Sequence, residues 1–271
     1  MTRFVPLRPV ILALAGLTLA SAETRLLVTV VDRKTAQPMA KLQAANFSVL
    51  DDRTPRRVLA AEFGKTPLDL MLLVDTSLVG EIVWPLAEAF VSGLEGQEQM
   101  AVVSFANSAD LIQDFTSSKE LLKRAVRQVK FGNNPRIVDA LFAAADGGFQ
   151  NTVGRKVIVI LSAGVEGFSR TSERDVLKLA RGNQISIFPV YVIGAERSLF
   201  EELARESGGA FFSARDLKLP PSKLAERVFS TLRGRYLLTI EGNQALGDRL
   251  KVEITGLDPG TRAWASALSL D

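Results

Sequence analysis

The residues best suited to chemistry lie in one short stretch, Val74-Asp75-Thr76-Ser77-Leu78-Val79-Gly80. Asp75 and Ser77 stand two residues apart at the end of an apolar run, Leu68–Asp75, and ahead of a segment of helical period. A carboxylate and a hydroxyl at alternate positions after a buried strand are oxygen donors suited to a hard divalent cation. The next alternate position is Val79, which has no side-chain oxygen. Other chemistries are poorly supplied. The chain has no histidine and no cysteine, which removes histidine-based triads, histidine-ligated zinc and disulfides. No Gly-x-Ser-x-Gly elbow or paired Ser-x-x-Lys set is present. Gly132-Asn133-Asn134-Pro135 is a turn and not a phosphate loop, because no Gly-Lys-Ser/Thr follows it.

Elements must position this stretch. Leu68–Asp75, Met100–Ala106, Lys156–Gly164 and Ile185–Gly194 are short, apolar and rich in β-branched residues, as strands covered on both faces are. Segments of helical period lie between them, at 84–94, 118–130, 136–149, 171–183 and 198–209, with a last one at 221–235. Strands alternating with helices predict an α/β, doubly wound, mostly parallel sheet with helices on both faces over residues 66–235. Pro189 inside a strand demands an edge or a bulge. The flanks read differently. Residues 26–31, 47–52 and 56–63 on one side and 236–241, 249–257 and 262–270 on the other are strand-like with turns between them. The simplest organisation is a small β module in which 236–271 packs with 23–65.

The N-terminus predicts export. Arg3 and Arg8 precede the apolar run Val10–Ala20, and Ala20-Ser21-Ala22 makes a cleavage signal before Glu23. The run is shorter than the ~20 residues of a spanning helix. Residues 1–22 are therefore expected to be a signal peptide, and the product to be periplasmic or extracellular with no transmembrane anchor. The leader holds two arginines and no acid, so its loss brings 33 basic and 30 acidic residues still closer to balance. No nucleic-acid partner follows from that charge. The basic helix face of Lys123, Arg124, Arg127 and Lys130 reads as solvated surface.

"LLVDTS", the "VDAL" helix start and "VIVILSAG", in this order, resemble the von Willebrand factor type A domain over residues 66–235. The flanking strands resemble those of an exported bacterial group called VWFA-related. The resemblance implies a metal-ion-dependent adhesion site with a DxSxS loop, a threonine from a second loop and an aspartate after a later strand. Asp75 and Ser77 match it. The second serine falls on Val79, the threonine on Pro135 and the aspartate on Ala163. With three of the five oxygens replaced, no metal is expected and no cofactor such as magnesium. Glu166 or Asp139 stands as a substitute ligand in the rival reading of a rebuilt site. A strand-end Asp or Ser also has a structural use, bracing the backbone N–H groups of the following loop. The implied function is protein binding, adhesion or scaffolding, and not catalysis. The partner-binding face would comprise Asp75, Ser77, Leu78, Val79, Trp84, Pro135, Arg136 and Ala163. Trp84 packed at a helix start is an equal alternative. A hydrolase of envelope polymers built on a carboxylate pair is the remaining enzyme reading.

Overall fold

The structure is a computed structural model that describes residues 23–64, 66–132, 134–150, 152–242 and 250–270. The expected signal peptide lies outside the described residues, as do Asn133 and Asn243 of two expected turns. The chain begins with β1 (Glu23–Asp32), β2 (Phe47–Asp51), β3 (Thr54–Arg56) and β4 (Val58–Gly64). There follow β5 (Leu68–Asp75), α1 (Trp84–Gly93), β6 (Gln99–Phe105), β7 (Ala109–Thr116), α2 (Lys119–Gln128) and α3 (Ile137–Ala145). Next come β8 (Arg155–Ser162), α4 (Glu173–Gly182), β9 (Ser186–Tyr191), α5 (Arg197–Glu206), β10 (Phe212–Ser213), α6 (Ala214–Leu217) and α7 (Pro221–Arg233). The chain closes with β11 (Arg235–Glu241), β12 (Leu250–Ile254) and β13 (Ala263–Ser269).

The central sheet has the order β10-β9-β8-β5-β6-β7. Its strands are parallel except β7, which runs antiparallel to β6. All eight residues of β5 are buried, the mark of a strand covered on both faces. Side chains alternate across a strand, and the cores show it. Leu68, Leu70, Leu72 and Val74 pack with α1, α2 and α7. Met71 and Leu73 pack on the other face with α3, α4 and α5. Local signals start the helices: Ser118 and Ser172 accept hydrogen bonds from Leu121 N–H and Asp175 N–H, and a proline opens α1 and α7.

Two features refine the sequence reading. β7 was not among the predicted strands, because its residues are half-buried or exposed and include Asp110, Gln113 and Asp114. It is an edge strand, where apolar content is low. Pro189 lies in β9 opposite Ile160 of β8, one residue before the two-residue β10 begins to pair at Val190, next to where the sheet edge begins.

The flanking segments form two antiparallel sheets, β13-β1-β11-β4 and β12-β2-β3. Their shared core holds Leu26, Val28, Val30, Phe47, Val49, Tyr236, Leu238, Ile240 and Val252. β2 and β3 are joined by Asp52-Arg53, both at positive φ, a two-residue hairpin loop whose twist suits the strands. The Tyr236 hydroxyl donates to Met39 O at 2.8 Å and accepts from Leu42 N–H at 2.9 Å, tying the β1–β2 connection to β11.

Candidate functional site

The carboxyl ends of β5, β6, β8 and β9 share one edge of the parallel sheet, where ligand-binding loops of open α/β sheets gather. Asp75 ends β5 at the centre of this edge and is 1% exposed. Its Oδ1 accepts from Ser77 N–H at 3.0 Å. Its Oδ2 accepts from Ser162 Oγ at 3.2 Å and from Ala163 N–H at 3.0 Å. One carboxylate therefore joins the ends of β5 and β8. Gly80 is obligatory beside it, because a Cβ there would lie 2.3 Å from Asp75 O and 2.8 Å from Oδ1.

Backbone bonds lace the loops into a platform. Thr76 N–H and Oγ1 both donate to Phe105 O, and Thr76 O accepts from Gly132 N–H at 2.7 Å. Arg136 N–H donates to Ala106 O at 3.1 Å, and Gly167 N–H to Pro135 O at 2.8 Å. Ile193 N–H reaches Ala163 O at 2.8 Å. Glu166 Oε2 caps the first turn of α3, accepting from Ile137 N–H at 2.9 Å and Val138 N–H at 3.3 Å, which suits the positive end of a helix. Its Oε1 accepts from the Ser169 N–H and hydroxyl. Asp139 Oδ1 accepts from the N–H groups of Arg170 and Thr171. Burial works against the Asp139 carboxylate, but those bonds, the Thr171 side chain and the Arg136 charge outweigh it and hold its pKa below the ordinary value.

These contacts test the fit to a divalent ion. The Asp75 oxygens are taken by three donors, Val79, Pro135 and Ala163 offer no side-chain oxygen, and Glu166 and Asp139 are spent on backbone N–H groups. Of the five motif positions the Ser77 hydroxyl is buried with no hydrogen-bond partner, and nearby Arg136 Nε and the Tyr191 hydroxyl share that state. Among the described residues no group of three His, Cys, Asp or Glu side chains is placed to hold a metal. This donor set does not fit a hexacoordinate magnesium ion.

The expected face needs correction in its composition. Asp75, Ser77, Pro135 and Ala163 are buried, so they form the floor and present no side chain to a partner. Leu78 and Val79 are exposed, and Trp84 and Arg136 are half-buried. Trp84 lies 6.4 Å from Phe131, ring centre to ring centre, and packs against the core. The same loops carry exposed apolar residues that periodicity does not reveal. Ile82, Phe131, Phe168 and Ile193 are exposed on loops after β5, before α3, after β8 and after β9. Phe168 is 91% exposed and Leu78 75%. Six of the eleven exposed large hydrophobic residues described sit on these loops, so the clustering is not a general property of the surface. Their sequence signal was an apolar residue inside a loop rich in Gly, Asn and Ser, as at Gly167-Phe168-Ser169.

Comparison with known proteins follows this geometry. No curated protein matches the chain. Among solved structures, proximal thread matrix protein 1 from the mussel byssus, solved with zinc in its MIDAS motif, is similar with a TM-score of 0.54 and 21% identity. The match covers 65% of this chain and 49% of the mussel protein, so the chain spans about half of that protein's length. An aerotolerance-related membrane protein from Bacteroides fragilis is similar with a TM-score of 0.50 and 14% identity, over 61% of this chain and 98% of that one. At these identities the likeness concerns the fold alone. The family model of the von Willebrand factor type A domain matches residues 69–225, more than half of the chain, with Asp75, Ser162 and the loops around them inside the match: this chain belongs to the von Willebrand factor type A domain family.

Proposed function

We propose that the chain is an exported, protein-binding module of the VWFA-related group that acts through its strand-end face without a metal ion. In this reading residues 66–235 are the binding module and the flanking strands are its support. The observation that carries it is the set of exposed apolar side chains, Leu78, Val79, Ile82, Phe131, Phe168 and Ile193, on loops whose backbone is already bonded between neighbours. Exposed clusters of this kind mark protein-interaction surfaces. A preformed platform also loses little freedom on binding. The Arg3, Arg8 and Ala20-Ser21-Ala22 pattern supports export. No helix among the described residues is long and apolar enough to cross a membrane.

The degenerate ligand set supports metal independence, and the unpartnered Ser77 hydroxyl is the one feature that favours a rebuilt site. A thermal melt with EDTA and then with Mg²⁺, Mn²⁺ or Ca²⁺ separates the two, since an ion bound only to the folded state raises the midpoint. The native chain is expected not to respond, and the triple variant Val79→Ser, Pro135→Thr, Ala163→Asp to respond. A native midpoint that rises with ion, and stops rising in Asp75→Ala, would establish the rebuilt site instead. For the face itself, a photo-crosslinker at Phe168 is expected to give a discrete adduct in EDTA. The same group at Leu121, an exposed position on α2, is expected to give none. Equal labelling at both positions would remove the strand-end face from consideration.

A further inference from the structure

The seam between the β module and the central domain lies away from the strand-end loops and holds a buried cation without a counter-charge. Arg235 is 2% exposed. Tyr236, Leu238 and Ile240 of β11 pack in the β-module core, so by alternation Arg235 points the other way, toward the central sheet. There its guanidinium lies 5.6 Å from the ring centre of Phe188, and its Nη2 donates to Gly208 O at 2.6 Å. Its Nε and Nη1 are buried with no hydrogen-bond partner.

Two further donors belong to the same place. Val157 and Val159 of β8 and Phe188 and Val190 of β9 line one face of the central sheet, and alternation puts Arg155 and Ser186 on that face as well. Ser186 is the register partner of Val157, so it sits one strand across from the start of β8. The Ser186 hydroxyl and Arg155 Nε are both buried with no hydrogen-bond partner. Arg155 Nη2 donates to Leu232 O at 3.0 Å and to Arg233 O at 3.2 Å, at the end of α7 just before Arg235. The two guanidinium groups feel each other, because the Arg155 charge helps to hold the Arg235 pKa down. The acids at hand are engaged elsewhere. Glu98, whose charge reaches Arg155, meets Arg233 at 2.7 Å. Asp69 accepts from Gly154 N–H and belongs by alternation to the opposite face, with Met71 and Leu73. Among the described residues no carboxylate lies within ion-pair distance of Arg155 or Arg235.

We propose that this seam binds a chloride ion, with Arg235 Nε and Nη1, Arg155 Nε and the Ser186 hydroxyl as its donors. A buried guanidinium without an anion is costly, and buried charges are ordinarily paired. Water would complete the hydrogen bonds and leave the charge. The depth selects a small ion: Ser186 is 0% exposed and Arg235 2%, which shuts out a partner's side chain or a charged polymer. A single charge is favoured over sulfate or phosphate, because the cost of burying an ion rises with the square of its charge. The ion would join β8 and β9 of the central sheet to β11 of the β module, and so make the attachment of the module halide-dependent. The inference does not rest on the strand-end reading.

The test follows the melting midpoint of the full chain as sodium chloride replaces sodium gluconate at constant ionic strength. A midpoint that rises with chloride is expected, since an ion bound only to the folded state stabilises it, while gluconate is too large for the seam. Bromide is expected to act as chloride does. Crystals grown in sodium bromide are expected to show an anomalous peak within hydrogen-bond reach of Arg235, Arg155 and Ser186. Ser186→Ala removes one donor and adds no bulk. It is expected to raise the chloride concentration needed for a given rise about tenfold, the worth of one hydrogen bond to a charged group. A midpoint indifferent to chloride overturns the proposal, even with bromide in the crystal, which would then be binding at crystal concentration only. A water molecule in that place overturns it, as does a chloride response unchanged in Ser186→Ala.

Discussion

At the residue scale, Asp75 is a structural brace. Its two oxygens accept three hydrogen bonds while buried. Asparagine would turn an NH₂ toward one set of these donors and leave buried groups unpaired. Asp75→Asn is therefore expected to destabilise the fold by about 1–3 kcal/mol. Urea unfolding checks this, and the loss should be the same in EDTA and in Mg²⁺. Gly80 presents a steric limit instead. The methyl of Gly80→Ala would overlap the Asp75 carbonyl oxygen at 2.3 Å, so a cost of about 1–3 kcal/mol is expected, as for other overpacked sites. The same two residues show what the sequence discloses at this scale. Asp75 and Ser77 were legible as a strand-end pair from spacing alone. The partners of Asp75, Ser162 and Ala163, lie 87 and 88 residues along the chain, and no local pattern links them to it. Nor does local pattern reveal that Pro135 and Ala163 are buried: exposure at a loop position depends on loops packed from elsewhere.

At the element scale, the start of α3 is secured from a distance. Its N-cap residue, Arg136, makes no side-chain cap, and Glu166 supplies the missing acceptor from the loop after β8. Asp139 returns the bond in the opposite direction, accepting from Arg170 and Thr171. Its folded-state pKa lies below the ordinary value. The corresponding stability is present above the unfolded carboxylate pKa, about 3.9 for aspartate, and is lost as pH falls through the folded-state value. Asp139→Asn is expected to melt lower than the native chain at neutral pH. The gap between the two should narrow below about pH 4, as thermal melts across pH would show. A gap that stays constant would place the role of Asp139 in packing and not in charge. β7 makes the complementary point. Its polar, half-exposed residues gave no strand period, and it is a strand because β6 offers it an edge.

At the scale of the whole molecule, the β module and the central domain meet at Gly208. Its carbonyl accepts from Thr29 Oγ1 at 2.8 Å and from Arg235 Nη2 at 2.6 Å, one donor from β1 and one from β11. Gly208 has a φ of +72° just beyond α5, the left-handed conformation that ends many helices and suits glycine. A Cβ would also strike Leu268 Cβ at 2.7 Å. Gly208→Ala thus combines backbone strain with overlap at the seam, and is expected to cost about 2 kcal/mol or more. Differential scanning calorimetry checks it, a lower midpoint being the expected result. Arg235 at this seam is 2% exposed, with Nε and Nη1 unpartnered. Burial, and then the nearby Arg155 charge, push its pKa well below the ordinary guanidinium value.

By itself the sequence determined the alternation of strands and helices, the split between a central α/β domain and two β flanks, and the strand-end pair Asp75 and Ser77 followed by Val79, which has no side-chain oxygen. Those properties are local: they follow from side-chain type and from periods of two or 3.6 residues. Only the tertiary structure decided which residues of the motif form a buried floor and which apolar residues emerge around it. It alone brought α4 and α5 of the central domain alongside β12 and β13 of the flanks. These outcomes depend on contacts between segments tens to hundreds of residues apart, whose pairing is set by packing of the whole chain and not by any one stretch of it.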